Sequence, residues 1–112
     1  MYYIYMLRCS DNSIYTGITI DLNRRINEHI TKSEKCAKYT LHHTVQKLEV
    51  VWETENRVLA SKLEYAIKKM TKKKKEDLIK DTNMFDKLLE KLDCSKYKIY
   101  YVNNGQNDIS LV

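Results

Sequence analysis

Residues 2–30 read Tyr-Tyr-Ile-Tyr-Met-Leu-Arg-Cys-Ser-Asp-Asn-Ser-Ile-Tyr-Thr-Gly-Ile-Thr-Ile-Asp-Leu-Asn-Arg-Arg-Ile-Asn-Glu-His-Ile. Tyr2 to Cys9 is β-branched and aromatic, the composition of a strand. Asp11-Asn12-Ser13 is a turn cluster, and Ser13 to Ile18 reads as the returning strand of a hairpin. Loop length then decides the chemistry, because side chains alternate across a strand with period two. A three-residue loop puts Tyr5 and Tyr15 on one face of the sheet, and a two-residue loop puts them on opposite faces. Thr19 and Asp21 are candidate caps for a helix over 22–31. Leu22, Ile26 and Ile30 form its apolar stripe at i, i+4. At roughly 100° per residue, Arg25 and His29 share one border of that stripe, while Arg24 points nearly away from the core.

Outward from this segment the pattern continues. Residues 32–44 lack a clear period and read as loop. Leu-Glu-Val-Val-Trp over 48–52 reads as a third strand. Asn56 caps a second helix to about residue 70, with Leu59, Leu63, Ala66, Ile67 and Met70 as its buried stripe and Glu64 on the stripe's border. Thr71 caps a third segment over 72–80. Asn83 opens a fourth, where Phe85, Leu88, Leu89 and Leu92 repeat at i, i+3, i+4, i+7. Residues 97–102 are a candidate late strand, and 103–112 read as a polar tail.

At 112 residues and 43% hydrophobic, the chain has room for one modest core. Lys plus Arg number 20 against 15 Asp plus Glu, a net charge of +5. That excess suits a polyanion, although many solvated surfaces are as basic. No apolar run reaches the ~18 residues of a membrane span, and the N-terminus lacks the parts of a signal peptide. Cys9, Cys36 and Cys94 are odd in number and far apart, as expected of reduced thiols in the cytoplasm rather than a disulfide frame. Cys36, His42 and His43 fit no standard zinc spacing.

Tyr3-Ile4-Tyr5, Tyr15-Thr16-Gly17, the pair Arg25 and His29, and Glu64 on a later helix together resemble the GIY-YIG nuclease family. Tyr3 stands where the first motif has glycine. Small stand-alone bacterial-type members also share the run 14–19, the segment 21–25, the Lys38-Tyr39-Thr40 word and the stretch 60–79. The likeness covers roughly residues 1–92, leaving 93–112 as an extension. The resemblance implies an α/β fold with a small, mainly antiparallel three-stranded sheet flanked by helices, in the order β-β-α-β-α-α-α. It implies metal-dependent cleavage of DNA phosphodiesters, nicking or structure-selective, in DNA repair or recombination. The alternative is a nucleic-acid-binding module with the same fold and no catalysis.

These residue types suit that chemistry. Phosphodiester cleavage needs an activated water, charge stabilisation at phosphorus and help for the leaving oxygen. Glu64 is a hard oxygen ligand for one Mg²⁺ or Mn²⁺ ion, and Arg25 offers a forked donor to phosphoryl oxygens. Tyr5 is a candidate to orient or deprotonate the water, with Tyr15 and His29 as competing proton carriers. Each residue also has a plainer reading: strand tyrosines, a helix edge paired through Glu28 or Asp21, and a Glu64–Lys68 pair at i, i+4. Lys68, Lys69, Lys72, Lys73, Lys74 and Lys75 are either a solvated face or a phosphate-binding run. Lysines in a helix's first turn oppose its dipole, which favours phosphate.

Overall fold

The computed structural model describes residues 1–32 and 42–103. Cys36, the Lys38-Tyr39-Thr40 word and most of the expected 32–44 loop lie outside the described residues. Strands β1 (Tyr2–Cys9), β2 (Ile14–Thr19), β3 (Val45–Thr54) and β4 (Lys98–Val102) form one antiparallel sheet in the order β2-β1-β3-β4. The sheet therefore has four strands, not three. β4 pairs along β3, and the Asn103 amide extends the ladder by donating to the Glu49 carbonyl. Just before β4, the Thr54 hydroxyl donates to the Lys96 carbonyl and Tyr97 to the Leu59 carbonyl.

The hairpin loop holds three residues. Cys9 N–H donates to the Ser13 carbonyl, and Asn12 N–H donates back to the Cys9 carbonyl. Asn12 closes the turn in the left-handed region at φ 71°, which asparagine tolerates better than most residues. In this register Tyr5 faces Gly17 and Leu7 faces Tyr15. Tyr5, Leu7 and Tyr15 consequently share one face of the sheet.

Helix α1 (Leu22–Thr31) is capped by Asp21, whose carboxylate accepts from Arg24 N–H, and ends on Lys32 in a left-handed conformation. Its stripe of Leu22, Ile26 and Ile30 packs against Tyr5, Leu7, Val45 and Val51. Helix α2 (Arg57–Lys68), capped by Asn56, and α3 (Lys72–Lys80), capped by Thr71, belong to the other face. There Ala60, Leu63, Ile67 and Leu78 meet Ile4, Met6, Val50 and Trp52. Trp52 is core, edge-on to Phe85 at 5.9 Å.

The expected helix over 83–92 shrinks to a 3₁₀ turn at Thr82–Met84 and a single turn, α4 (Phe85–Leu88). Leu89 leaves helical conformation at φ −127°, ψ 45°. The leucines still reach the core, with Leu89 buried and Leu88 and Leu92 packed against it. Packing here overrides the local period.

Arg8 is the unexpected core residue. It is buried on the α2–α3 face, where it bonds Glu49 at 2.9 Å and grips Glu76 of α3 with two bonds of 2.5 and 2.6 Å. It also donates to the Asn12 carbonyl and side chain. One guanidinium thus ties β1, β3, α3 and the hairpin loop together. The Arg8 bonds hold the Glu76 carboxyl down at about 2, against burial, with help from Lys72. Arg8→Ala strands the buried Glu49 and is expected to cost about 3–5 kcal/mol of urea-unfolding stability. The Glu76 contribution is full above its ordinary pKa of 4.5 and is lost as pH falls toward about 2. The stability gap between wild type and Glu76→Gln should narrow across that window. A gap that stays constant would remove Glu76 from the network.

Candidate active site

Tyr5 is fully buried, yet its ring leans over its cross-strand partner. A Cβ on Gly17 would lie 2.5 Å from the Tyr5 hydroxyl oxygen and 2.6 Å from Cζ. Glycine is therefore required by close approach. The missing side chain lets the hydroxyl extend toward the free edge of β2. Tyr15, one turn of the pleat away, brings its ring to 6.2 Å from that of Tyr5.

His29 of α1 enters from above this pair. It is fully buried, its ring lies 5.6 Å from Tyr5 and 5.2 Å from Tyr15, and its Nε2 is 2.7 Å from the Tyr5 hydroxyl. Burial first, and then the nearby Arg25 charge, lower the His29 pKa to about 4, partly opposed by Glu28. His29 is therefore neutral at pH 7. The Arg25 guanidinium lies near enough to the Tyr5 oxygen to favour its ionised form. Which of Tyr5 and His29 donates across their 2.7 Å contact is set by the imidazole tautomer. Burial, and secondarily Tyr15, push the Tyr5 pKa above the ordinary phenol range; Arg25 pulls it back and Glu64 adds to the rise.

Arg25 and Glu64 are the charged members of the group. Arg25 is half-buried and bonds Glu28 at 2.8 Å, whereas Arg24 is 54% exposed and spans Asp21 and Glu28. The two arginines thus occupy different sides of α1. Glu64 lies on α2, on the opposite layer, and comes round at the β2 edge closely enough to act on Tyr5. One turn on, Lys68 pairs with Glu64 at 3.3 Å and sits 5.8 Å from the Tyr15 ring centre. Tyr5, Tyr15, Arg25, His29 and Glu64 are therefore assembled from both layers at one edge of the sheet. The plainer pairings, Arg25–Glu28 and Glu64–Lys68, coexist with this convergence. Among the described residues no three His, Cys, Asp or Glu side chains cluster to hold a metal.

The lysine run does not form one surface. Lys72 pairs with Glu76 and donates to the Asn12 carbonyl, and Lys73 pairs with Asp77. Lys72 and Lys75 border a groove beside the hairpin loop. Lys69 and Lys74 line another, between α2 and the segment after α4. Tyr65 and Lys62 of α2 are exposed beside that second groove, and Arg57 is exposed beside a further groove that Tyr65 and Lys62 also line. Sequence reasoning passed over them because they lie outside the lysine run.

Imidazole NMR titration is expected to find His29 neutral down to about pH 4. An unfolded histidine takes its proton near 6.5, so stability should fall as pH drops from there toward 4. His29→Gln should flatten that part of the pH–stability curve. An unchanged slope would show that His29 is not held neutral by the fold.

Comparison with known proteins bears on this geometry. Residues 1–77 match the GIY-YIG catalytic domain family. A UPF0213 protein of Fusobacterium nucleatum subsp. nucleatum is 47% identical over 97 residues, 87% of this chain and 95% of that protein. The UPF0213 protein YhbQ of Salmonella typhimurium is 38% identical over 97 residues, with the same coverage. The solution NMR structure of the UPF0213 protein BH0048 from Bacillus halodurans is 33% identical, covers 83% of this chain and 98% of its own, and has a TM-score of 0.47. The motif words, the antiparallel sheet with its flanking helices and the matched span agree: this chain belongs to the GIY-YIG family of nucleases, among its small UPF0213 members.

Proposed function

We propose that this chain is a metal-dependent endonuclease that cuts DNA phosphodiester bonds, by nicking or in a structure-selective way, in DNA repair or recombination. The observation that carries the reading is the Tyr5 hydroxyl, held between His29 and Arg25 at the sheet edge where Glu64 comes alongside. A structural tyrosine needs one such partner; this one has a cation, a neutral base and a carboxylate around it.

The family implies a divalent metal, and the donors present fit one. Glu64 is a half-buried hard-oxygen ligand, and among the described residues it belongs to no cluster of three or more His, Cys, Asp or Glu side chains. That suits a mostly hydrated Mg²⁺ or Mn²⁺ ion bound weakly by protein alone. When bound there, the ion would polarise the phosphate and ease deprotonation of water. Arg25 would turn its donors from Glu28 to a phosphoryl oxygen and stabilise the charge that builds at phosphorus. Tyr5 is protonated in the free protein, so by itself it is a donor. With neutral His29 behind it, the phenol can pass its proton to Nε2 as its oxygen takes one from the attacking water. Tyr15, less buried than Tyr5, is placed to orient that water or the leaving oxygen. Lys68, Lys69 and Lys72 to Lys75 would contact phosphates, and Lys69, Lys74 and Lys75 pair with no carboxylate among the described residues. The free thiols of Cys9 and Cys94 suit a cytoplasmic protein. No helix among the described residues is long and apolar enough to cross a membrane.

The test is incubation with supercoiled, branched and single-stranded DNA in Mg²⁺ or Mn²⁺, beside a Glu64→Ala control. Arg25→Ala is expected to lower turnover by about 10²–10³-fold while fold and DNA binding persist. Arg24→Ala should cost far less, since that side chain faces solvent. Equal losses would place the catalytic arginine wrongly. Binding without cleavage in every arm would leave a nucleic-acid-binding module.

A further inference from the structure

We infer that the outer face of α2 is a track for an unpaired DNA strand, with Tyr65 as the surface on which a base stacks. The inference deepens the nuclease reading and rests on it: it names the part of the DNA that α2 would hold.

Tyr65 is 65% exposed, and so is Val58 two turns earlier on the same helix. A single exposed apolar side chain needs no explanation. The surroundings of Tyr65 do. Its ring stands between two grooves, of about 430 Å³ and 670 Å³. Arg57 and Lys62 border the first; Lys69, Lys74 and Lys91 border the second. Lys69 Nζ sits 5.1 Å from the ring centre. Among the described residues no carboxylate pairs with any of these five cations, although Lys68, Lys72 and Lys73 each have one. Glu90 also lines the second groove, and Lys75 by the hairpin loop is likewise without a carboxylate pair among the described residues, so what sets this face apart is an exposed aromatic ring with cations on both sides.

A flat aromatic flanked by unmet cations along a groove is complementary to a nucleic acid strand. The cations meet phosphates without reading sequence, and the ring takes the face of a base. A duplex hides its base faces within the stack, so the ring distinguishes an unpaired stretch from a paired one. Glu64 precedes Tyr65 on α2 and stands about 100° round the helix from it, on the border that carries Lys68 toward Tyr15. The ligand class that follows is DNA with a single-stranded segment.

The test is fluorescence anisotropy in EDTA, with a labelled oligothymidylate and a duplex of the same length as probes. Wild type should bind the single strand more tightly than the duplex. Tyr65→Ala should weaken single-strand binding by about tenfold or more and leave duplex binding nearly unchanged. Tyr65→Phe should retain wild-type affinity. Lys62→Gln with Lys69→Gln should weaken both complexes and flatten their salt dependence. Because Tyr65 is exposed, thermal unfolding of its variants should match wild type. Single-strand affinity unchanged in Tyr65→Ala, or lost equally for both probes, overturns the track. Cleavage of branched DNA in Mg²⁺ or Mn²⁺, run alongside, separates the two ideas. Cleavage with no Tyr65 effect on binding leaves the nuclease reading and removes the track. A Tyr65 effect without cleavage by wild type supports the track and removes the nuclease reading.

Discussion

The close approach of Tyr5 to Gly17 is the contact on which the rest of the site depends. A strand tyrosine normally projects straight from its sheet. Here the ring lies across its cross-strand neighbour, in space that any side chain on Gly17 would occupy. That displacement carries the hydroxyl to the edge of the sheet, where groups from two layers can meet. His29 and Arg25 come from α1 on the same face, and Glu64 comes from α2 on the other. A sheet normally keeps its two faces apart. An edge strand carrying a glycine is a place where they can touch.

Two kinds of charge pairing hold this arrangement, and they behave differently. The Arg8 cluster is buried and satisfied by two carboxylates and the hairpin loop. It fixes the loop that sets the register, and the register places Tyr5 opposite Gly17. Its weight lies less in net stability than in the penalty for breaking it. The helix-surface pairs, Lys68–Glu64, Lys72–Glu76 and Lys73–Asp77, are exposed to varying degrees and individually weak. On the proposed reading, such weakness would be useful at Glu64, where a cation could displace Lys68 at small cost.

Burial shapes the proton chemistry in the same place. Enclosing Tyr5 and His29 disfavours charge on either, raising the phenol pKa and lowering that of the imidazole. The pair is neutral, with one proton between them. Arg25 acts on both in the direction of its own charge, easing loss of the phenol proton and opposing gain of one by His29. On the proposed reading, activation would need a change in the electrostatics of the edge, which an incoming phosphate and its counter-ions would supply.

Much of this was legible in the sequence. Strand composition, helix caps at Asp21, Asn56 and Thr71, and the stripe of α1 are local properties, set by side-chain shape, capping and period, and the elements follow them. The ordered motif words pointed to the family. The period of α1 separated Arg25 from Arg24, and the structure puts them on different sides. Other features needed the tertiary structure. The two hairpin loop lengths differed by one residue and were equally consistent with the chain. The register that decided between them is stabilised by Asn12 and by Arg8 bonds to residues far along the chain. The helix expected over 83–92 had the right period but yielded to the packing of Leu88, Leu89 and Leu92. A fourth strand completes the sheet because β3 offers a pairing edge to Lys98–Val102. The lysine run looked uniform as a sequence and is divided in space, because which lysine finds a carboxylate depends on helix phase and neighbouring elements. Sequence alone determined most of the elements and the chemical vocabulary of the site. Only tertiary contacts decided which groups meet, because cross-strand register, close approach and ion pairing are long-range interactions that no local pattern encodes.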